Sequence, residues 1–148
     1  GNGEETILAA TAILADAKVA PELENEARHY RSKALVEANQ MQHAAADWEA
    51  LAKDTRNVYG AEAKYRLAQY LFDAGKTAEA EKEVLNYLEV STPHTYWLAR
   101  SFVLLSDIYA KLDRKLEARQ YLLSLKQNYQ ADDDIAGMIE SRLENLSE

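Results

Sequence analysis

The chain has 148 residues, a formal net charge of −8, five Gly, two Pro and no Cys. Lacking cysteine, it has no disulfide, thiolate metal site or cysteine nucleophile, and its acidity argues against a phosphate-binding face for nucleic acid. No apolar run approaches the roughly 20 residues that span a bilayer, so no membrane insertion is expected, and no stretch reads as a signal peptide.

Alanine, leucine, glutamate and lysine are abundant and Val/Ile/Thr runs are absent, the composition of an all-α chain. Eight helices are predicted, at 5–18, 22–38, 41–56, 59–73, 77–90, 93–111, 115–128 and 133–147. Pro21 after Ala20 suits the opening of the second helix, and Thr92-Pro93 reads as N-cap and first residue of the sixth. Asp132, Asp133 and Asp134 precede the last helix, where carboxylates cap and complement the helix dipole.

An internal repeat runs through these elements. Ala44 with Trp48, Ala80 with Val84 and Ala118 with Leu122 stand at successive spacings of 36 and 38 residues. In the same register come Leu51, Tyr87 and Leu125, then Leu35, Leu71 and Tyr109, and the small residues Ser32, Ala68 and Ser106. The first copy departs at Arg31, where the others have Leu67 and Leu105, and a fainter earlier copy fits Ala10, Leu14 and Ala17. Asn39, Gly75 and Asp113 share one register position. Gly75 costs roughly 1 kcal/mol inside a helix but ends one cheaply in the left-handed conformation, which Asn also tolerates, while Asp113 is a weaker stop though still a turn former.

Residues 61–92, AEAKYRLAQYLFDAGKTAEAEKEVLNYLEVST, resemble a tetratricopeptide repeat without gaps: Leu67, Ala68, Leu71, Gly75, Ala80, Val84 and Tyr87 fall on its signature positions. Lys64 and Thr92 depart from the pattern, which favours a large apolar residue and proline there. The likeness extends less cleanly over 25–56 and 99–130. It implies one right-handed α-solenoid of antiparallel helix pairs over 1–148. Its second-helix remnant would be 5–20, its pairs 22–56, 59–91 and 93–130, and its terminal helix 132–148. The chain opens Gly-Asn-Gly without methionine, which reads as a processed form or a piece of a longer protein. In flavour it is similar to bacterial envelope-associated members of the family, so a periplasmic or envelope location is favoured slightly over a cytoplasmic one.

The resemblance further implies a concave groove lined by the first helix of each pair. Carried over by position, the groove residues are His29, Lys33 and Glu37; then Glu62, Tyr65, Gln69, Phe72 and Asp73; then Arg100, Val103, Asp107 and Lys111. Tyr65 and Phe72 are its expected apolar anchors, with packing of Phe72 against the following repeat the competing reading. The Lys/Asn/Arg clamp by which some family members hold C-terminal carboxylates is not reproduced at His29, Lys33, Arg66, Arg100 and Leu104.

Chemical sites are sparse. Glu26-x-x-His29 has the spacing of half a di-iron motif but lacks a second half. Asp132-x-Asp134 opens like a calcium loop that then fails at Ala136 and Leu143. No phosphate loop or nucleophile elbow occurs, so no catalytic residue, metal or cofactor is expected. Tyr96-Trp97 is either core or a ligand platform. The reading is a non-catalytic scaffold binding a protein or peptide in its groove. Its rival is a structural spacer, or a segment that self-associates through the array ends.

Overall fold

The computed structural model describes residues 2–90 and 92–147. The expected boundaries at Gly1, Ser91 and Glu148 lie outside the described residues. Eight α-helices follow one another: α1 (Asn2–Ala15), α2 (Pro21–Glu37), α3 (Met41–Leu51), α4 (Val58–Asp73), α5 (Thr77–Glu89), α6 (Thr95–Lys111), α7 (Lys115–Asn128) and α8 (Ile135–Leu146). No strand occurs among the described residues.

Three turns carry the same hydrogen-bonded stop. Asn39, Gly75 and Asp113 have φ of 60°, 81° and 61°. Gly75 N–H donates to the Phe72 carbonyl (3.1 Å) and Lys76 N–H to that of Leu71 (2.9 Å). Asn39 and Gln40 bond Val36 and Leu35 in the same way, and Asp113 and Arg114 bond Ala110 and Tyr109. Each pair of bonds satisfies two carbonyls left open by the helix end. The residue that closes one helix, Gln40, Lys76 or Arg114, is also the N-cap of the next. The turn therefore fixes an antiparallel pair in very few residues.

Packing follows the register seen in sequence. Ala44, Ala80 and Ala118 are each 0% exposed, and Ser32, Ala68 and Ser106 are buried beside them. A larger side chain at any of the three alanines would cost about 1–3 kcal/mol by overpacking. Leu35, Trp48, Leu51 and Leu67 form one core cluster, Tyr65, Val84, Leu105, Ile108 and Tyr109 a second, and Val103, Leu122, Leu125, Ile135 and Ile139 a third. Every helix packs on its sequence neighbours. In addition α2 packs on α4, α4 on α6 and α6 on α8, whereas among the described residues the backbones of α1, α3, α5 and α7 do not approach one another closely.

The structure corrects several boundaries. α3 ends at Leu51, not residue 56, because the chain turns into a loop that packs against Gly60. A Cβ on Gly60 would lie 1.9 Å from the Asp54 carbonyl oxygen and 2.6 Å from that of Leu51. Asn57 caps α4 by accepting from Gly60 N–H at 2.8 Å. Thr92 and Pro93 do not open α6, whose N-cap is His94. The Thr92 hydroxyl instead donates to the Thr55 carbonyl (2.8 Å) and accepts from His94 N–H (3.1 Å), tying the α5–α6 connection to the α3–α4 loop. Before α8 it is Asp133 that accepts from Ile135 N–H (2.9 Å), while Asp134 bonds a distant tyrosine. α1 begins and ends three residues early, so Ala17 of the faint first copy lies beyond it, exposed, while Ala10 is buried.

A charged pair reaches the core between α2 and α3. Arg31, where the first copy breaks the leucine pattern, meets buried Asp47 of α3 through two bonds of 2.8 and 2.5 Å and reaches Thr11 of α1 at 3.2 Å. The hydrogen bond to Asp47 raises the Arg31 pKa further, so the guanidinium stays charged. No buried side-chain N or O atom among the described residues lacks a hydrogen-bond partner, as an interior of low polarity demands.

Candidate functional site

The helices α2, α4, α6 and α8 make one continuous layer, and its surface divides into an open and a closed half. The open half is a cleft of about 380 Å³ between α2 and α4. Val36, Met41, Trp48 and Tyr70 supply its apolar lining. Lys33 and Glu37 line it from α2, and Glu62, Arg66, Gln69 and Asp73 from α4, so both signs of charge surround an apolar floor. Arg66 accounts for part of this balance by donating to Glu62 at 3.3 Å.

The closed half lies between α4, α6 and the start of α8. Arg100 donates from Nη1 to the Tyr96 hydroxyl and from Nη2 to the Tyr65 hydroxyl, each at 3.0 Å. The Tyr96 hydroxyl donates in turn to Asp134 (2.9 Å). Tyr65 donates to Gln69 (3.1 Å), which donates to Asp73 (2.8 Å). Each hydroxyl thus accepts from the guanidinium and donates outward, a consistent direction along the whole chain of bonds. Burial pushes the Tyr96 hydroxyl above its ordinary pKa, so it keeps the proton it donates. The rings reinforce the chain: Tyr65 stacks on Trp97 at 5.8 Å, Arg100 lies 4.8 Å from the Tyr65 centroid, and Arg66 lies 5.3 Å from that of Trp97. Cation–π contacts of this kind are worth about 0.5–2 kcal/mol each.

Of the expected groove residues, Lys33, Glu37, Glu62, Gln69 and Asp73 line the open cleft. Tyr65, expected as an exposed anchor, is 4% exposed and spent on Arg100 and Trp97. Arg100 is committed to the two tyrosines. Asp107 is held by Arg142 of α8 through two bonds of 2.9 and 3.1 Å. Phe72 is half-buried against the second core cluster, with the Lys111 ammonium 5.5 Å from its ring. His29 stacks on Tyr59 at 4.3 Å and meets Tyr30 edge-on at 5.0 Å. Burial there lowers the His29 pKa despite the opposing field of Glu62.

Val36, Met41, Trp48 and Tyr70 are cleft residues that positional carry-over did not pick. Val36 had a signal, because it is the register equivalent of Phe72. Trp48 and Met41 belong to α3 and reach the cleft through the gap between α2 and α4, which a count along the first helices does not see.

No three His, Asp or Glu side chains among the described residues come together to hold a metal ion. Tyr96 and Trp97 belong to the bonded network, not to an open platform. No helix of the described residues is long and apolar enough to cross a membrane. Comparison with family models, with characterised proteins and with solved structures returns no match.

Proposed function

We propose that the eight helices form a right-handed tetratricopeptide-like solenoid that acts as a non-catalytic scaffold, holding a peptide or protein segment in the α2–α4 cleft. The solenoid reading is supported by the packing pattern: among the described residues the backbones of consecutive even-numbered helices come close and those of odd-numbered ones do not. A two-layer stack closer along one layer curves toward it, which puts the even helices on the concave side.

The observation that carries the binding reading is the asymmetry of that concave surface. Between α4, α6 and α8 the polar groups satisfy one another, whereas between α2 and α4 an apolar floor stays open beneath charged rims. An apolar pocket with a few charges at its edge is the usual form of a binding cleft. It suits an extended segment with one apolar anchor for the Val36–Met41–Trp48–Tyr70 floor. Charges of both signs on either side of that anchor would meet Lys33 and Arg66 or Glu37, Glu62 and Asp73.

A displayed random-peptide library selected on this chain tests the reading. Sequences enriched on the wild type should be lost on a Lys33→Glu/Val36→Asp variant, whose two positions are exposed and leave the core intact. Equal retention by both proteins would move the binding site off the cleft.

A further inference from the structure

The two ends of the helix array differ in chemistry. At one end α8 turns Glu140, Ser141, Glu144 and Asn145 to solvent. At the other, α1 and α2 leave between them an apolar crevice of about 250 Å³, walled by Ala9, Ala10, Ile13, Leu23, Ala27 and Tyr30. Within the array each corresponding crevice is filled by a helix: α2 packs on α3 and α4, α4 on α5 and α6, and α6 on α7 and α8. Among the described residues no such helix covers the α1–α2 crevice, and its Leu23 and Tyr30 are 45% and 47% exposed. It lies in an acidic stretch of the chain. Residues 2–27 carry six carboxylates against Lys18 alone, and Glu26 lines the crevice itself.

The opposite surface occurs on the same molecule. α7 packs on α6 and α8 and turns Leu116 (71% exposed) and Leu123 (43% exposed) outward. Lys115 and Arg119, both exposed, flank Leu116, and Lys126, paired with Glu140 at 2.7 Å, follows Leu123. Residues 111–126 hold five cations and two carboxylates. The two leucines are seven residues apart, hence on one face and about 10.5 Å apart along the helix. The crevice walls, Thr6 to Ile13 and Leu23 to Tyr30, each span the same seven residues.

We propose that the α1–α2 crevice of one copy receives the Leu116–Leu123 ridge of α7 from a second copy. The leucines bury apolar surface in the crevice. Lys115 and Arg119 face the Glu22 and Glu26 side, which speeds encounter and sets register. Donor and acceptor surfaces differ, so the contact is heterologous and propagates into a ring or an open chain of copies. These surfaces are separate from the α2–α4 cleft, so the failure of either proposal leaves the other standing.

Sedimentation velocity over a concentration series, at low and at high salt, tests this. The wild type should exceed its 16.7 kDa monomer mass as concentration rises, and fall back toward it in high salt. Leu116→Asp and Leu23→Asp alter exposed positions, and circular dichroism verifies that both fold. Each should weaken association at least about tenfold, since an exposed leucine loses its burial and meets a charge. Mixed together, they should form a discrete dimer, because Leu116→Asp retains an intact crevice and Leu23→Asp an intact ridge. A wild type that stays monomeric throughout, association that survives Leu116→Asp, or a mixture that stays monomeric would each overturn the proposal. Survival in Leu116→Asp combined with loss in Leu23→Asp would indicate a crevice-to-crevice dimer instead.

Discussion

The Lys64 ammonium of α4 lies 2.7 Å from Glu83 and 2.7 Å from the Asn86 side-chain oxygen, both on α5. Thirty-eight residues further along, the same two register positions hold Phe102 and Tyr121, whose rings lie 6.0 Å apart. One slot between paired helices is thus filled ionically in one copy and aromatically in the next. Removing one charge leaves the other with its partner gone in a mostly buried place. Glu83→Leu should therefore cost about 2 kcal/mol in urea denaturation, below the fully buried range because Glu83 is 23% exposed. Replacing both partners, Lys64→Phe with Glu83→Tyr, should return stability to within about 1 kcal/mol of wild type. A double variant as weak as the single one would show that the slots are not equivalent.

The shared turn makes a second prediction. Gly75, Asn39 and Asp113 all have positive φ, which glycine adopts without strain. Asp113→Gly should stabilise the chain by about 0.5–1 kcal/mol, and Gly75→Ala should destabilise it by about 1 kcal/mol. Thermal melts of the two variants should move in opposite directions.

Gly60 is held for a different reason, the close approach of the Leu51 and Asp54 carbonyls. Both obstacles are backbone, so a methyl group must displace the α3–α4 loop. Gly60→Ala should cost about 2–3 kcal/mol, more than Gly75→Ala, and should also disturb the loop contact to Thr92. Equal costs for the two variants would contradict this account of the loop.

These elements show how far the sequence could be read. The repeat register located the three turns, the small buried residues and the core alanines, because each depends on local conformation or on a position that every copy must fill. Gly60 left no such signal: its crowding neighbours are the Leu51 and Asp54 carbonyls of the α3–α4 loop, and the equivalent position of the next copy holds Leu98. Thr92-Pro93 misled for a related reason, since the Thr92 hydroxyl is drawn away by the Thr55 carbonyl from a distant part of the chain. At the candidate site, Lys33, Glu37, Glu62, Gln69 and Asp73 were legible by position. Tyr65 and Arg100 were not, because each satisfies the other across two helices, and nothing along a single helix reveals that pairing.

His29 gives a pH dependence. Burial lowers its pKa below the ordinary value near 6.5, so between the folded value and 6.5 the unfolded chain binds more protons. The contribution is fully present above about pH 6.5 and is lost as pH falls through the folded value. An NMR titration should place the His29 midpoint below 6.5, and His29→Phe should flatten the loss of stability on mild acidification. A midpoint at or above 6.5 would reverse the sign.

The central claim, that the concave α2–α4 cleft is where this scaffold holds its partner, is tested most directly by an NMR shift map. Labelled chain would be titrated with a peptide selected on the wild type. Shifts clustered on Lys33, Val36, Gln69 and Tyr70, with Arg100 and Asp107 largely unmoved in their internal bonds, are the predicted result. Shifts confined to the exposed faces of α3, α5 and α7 would contradict it.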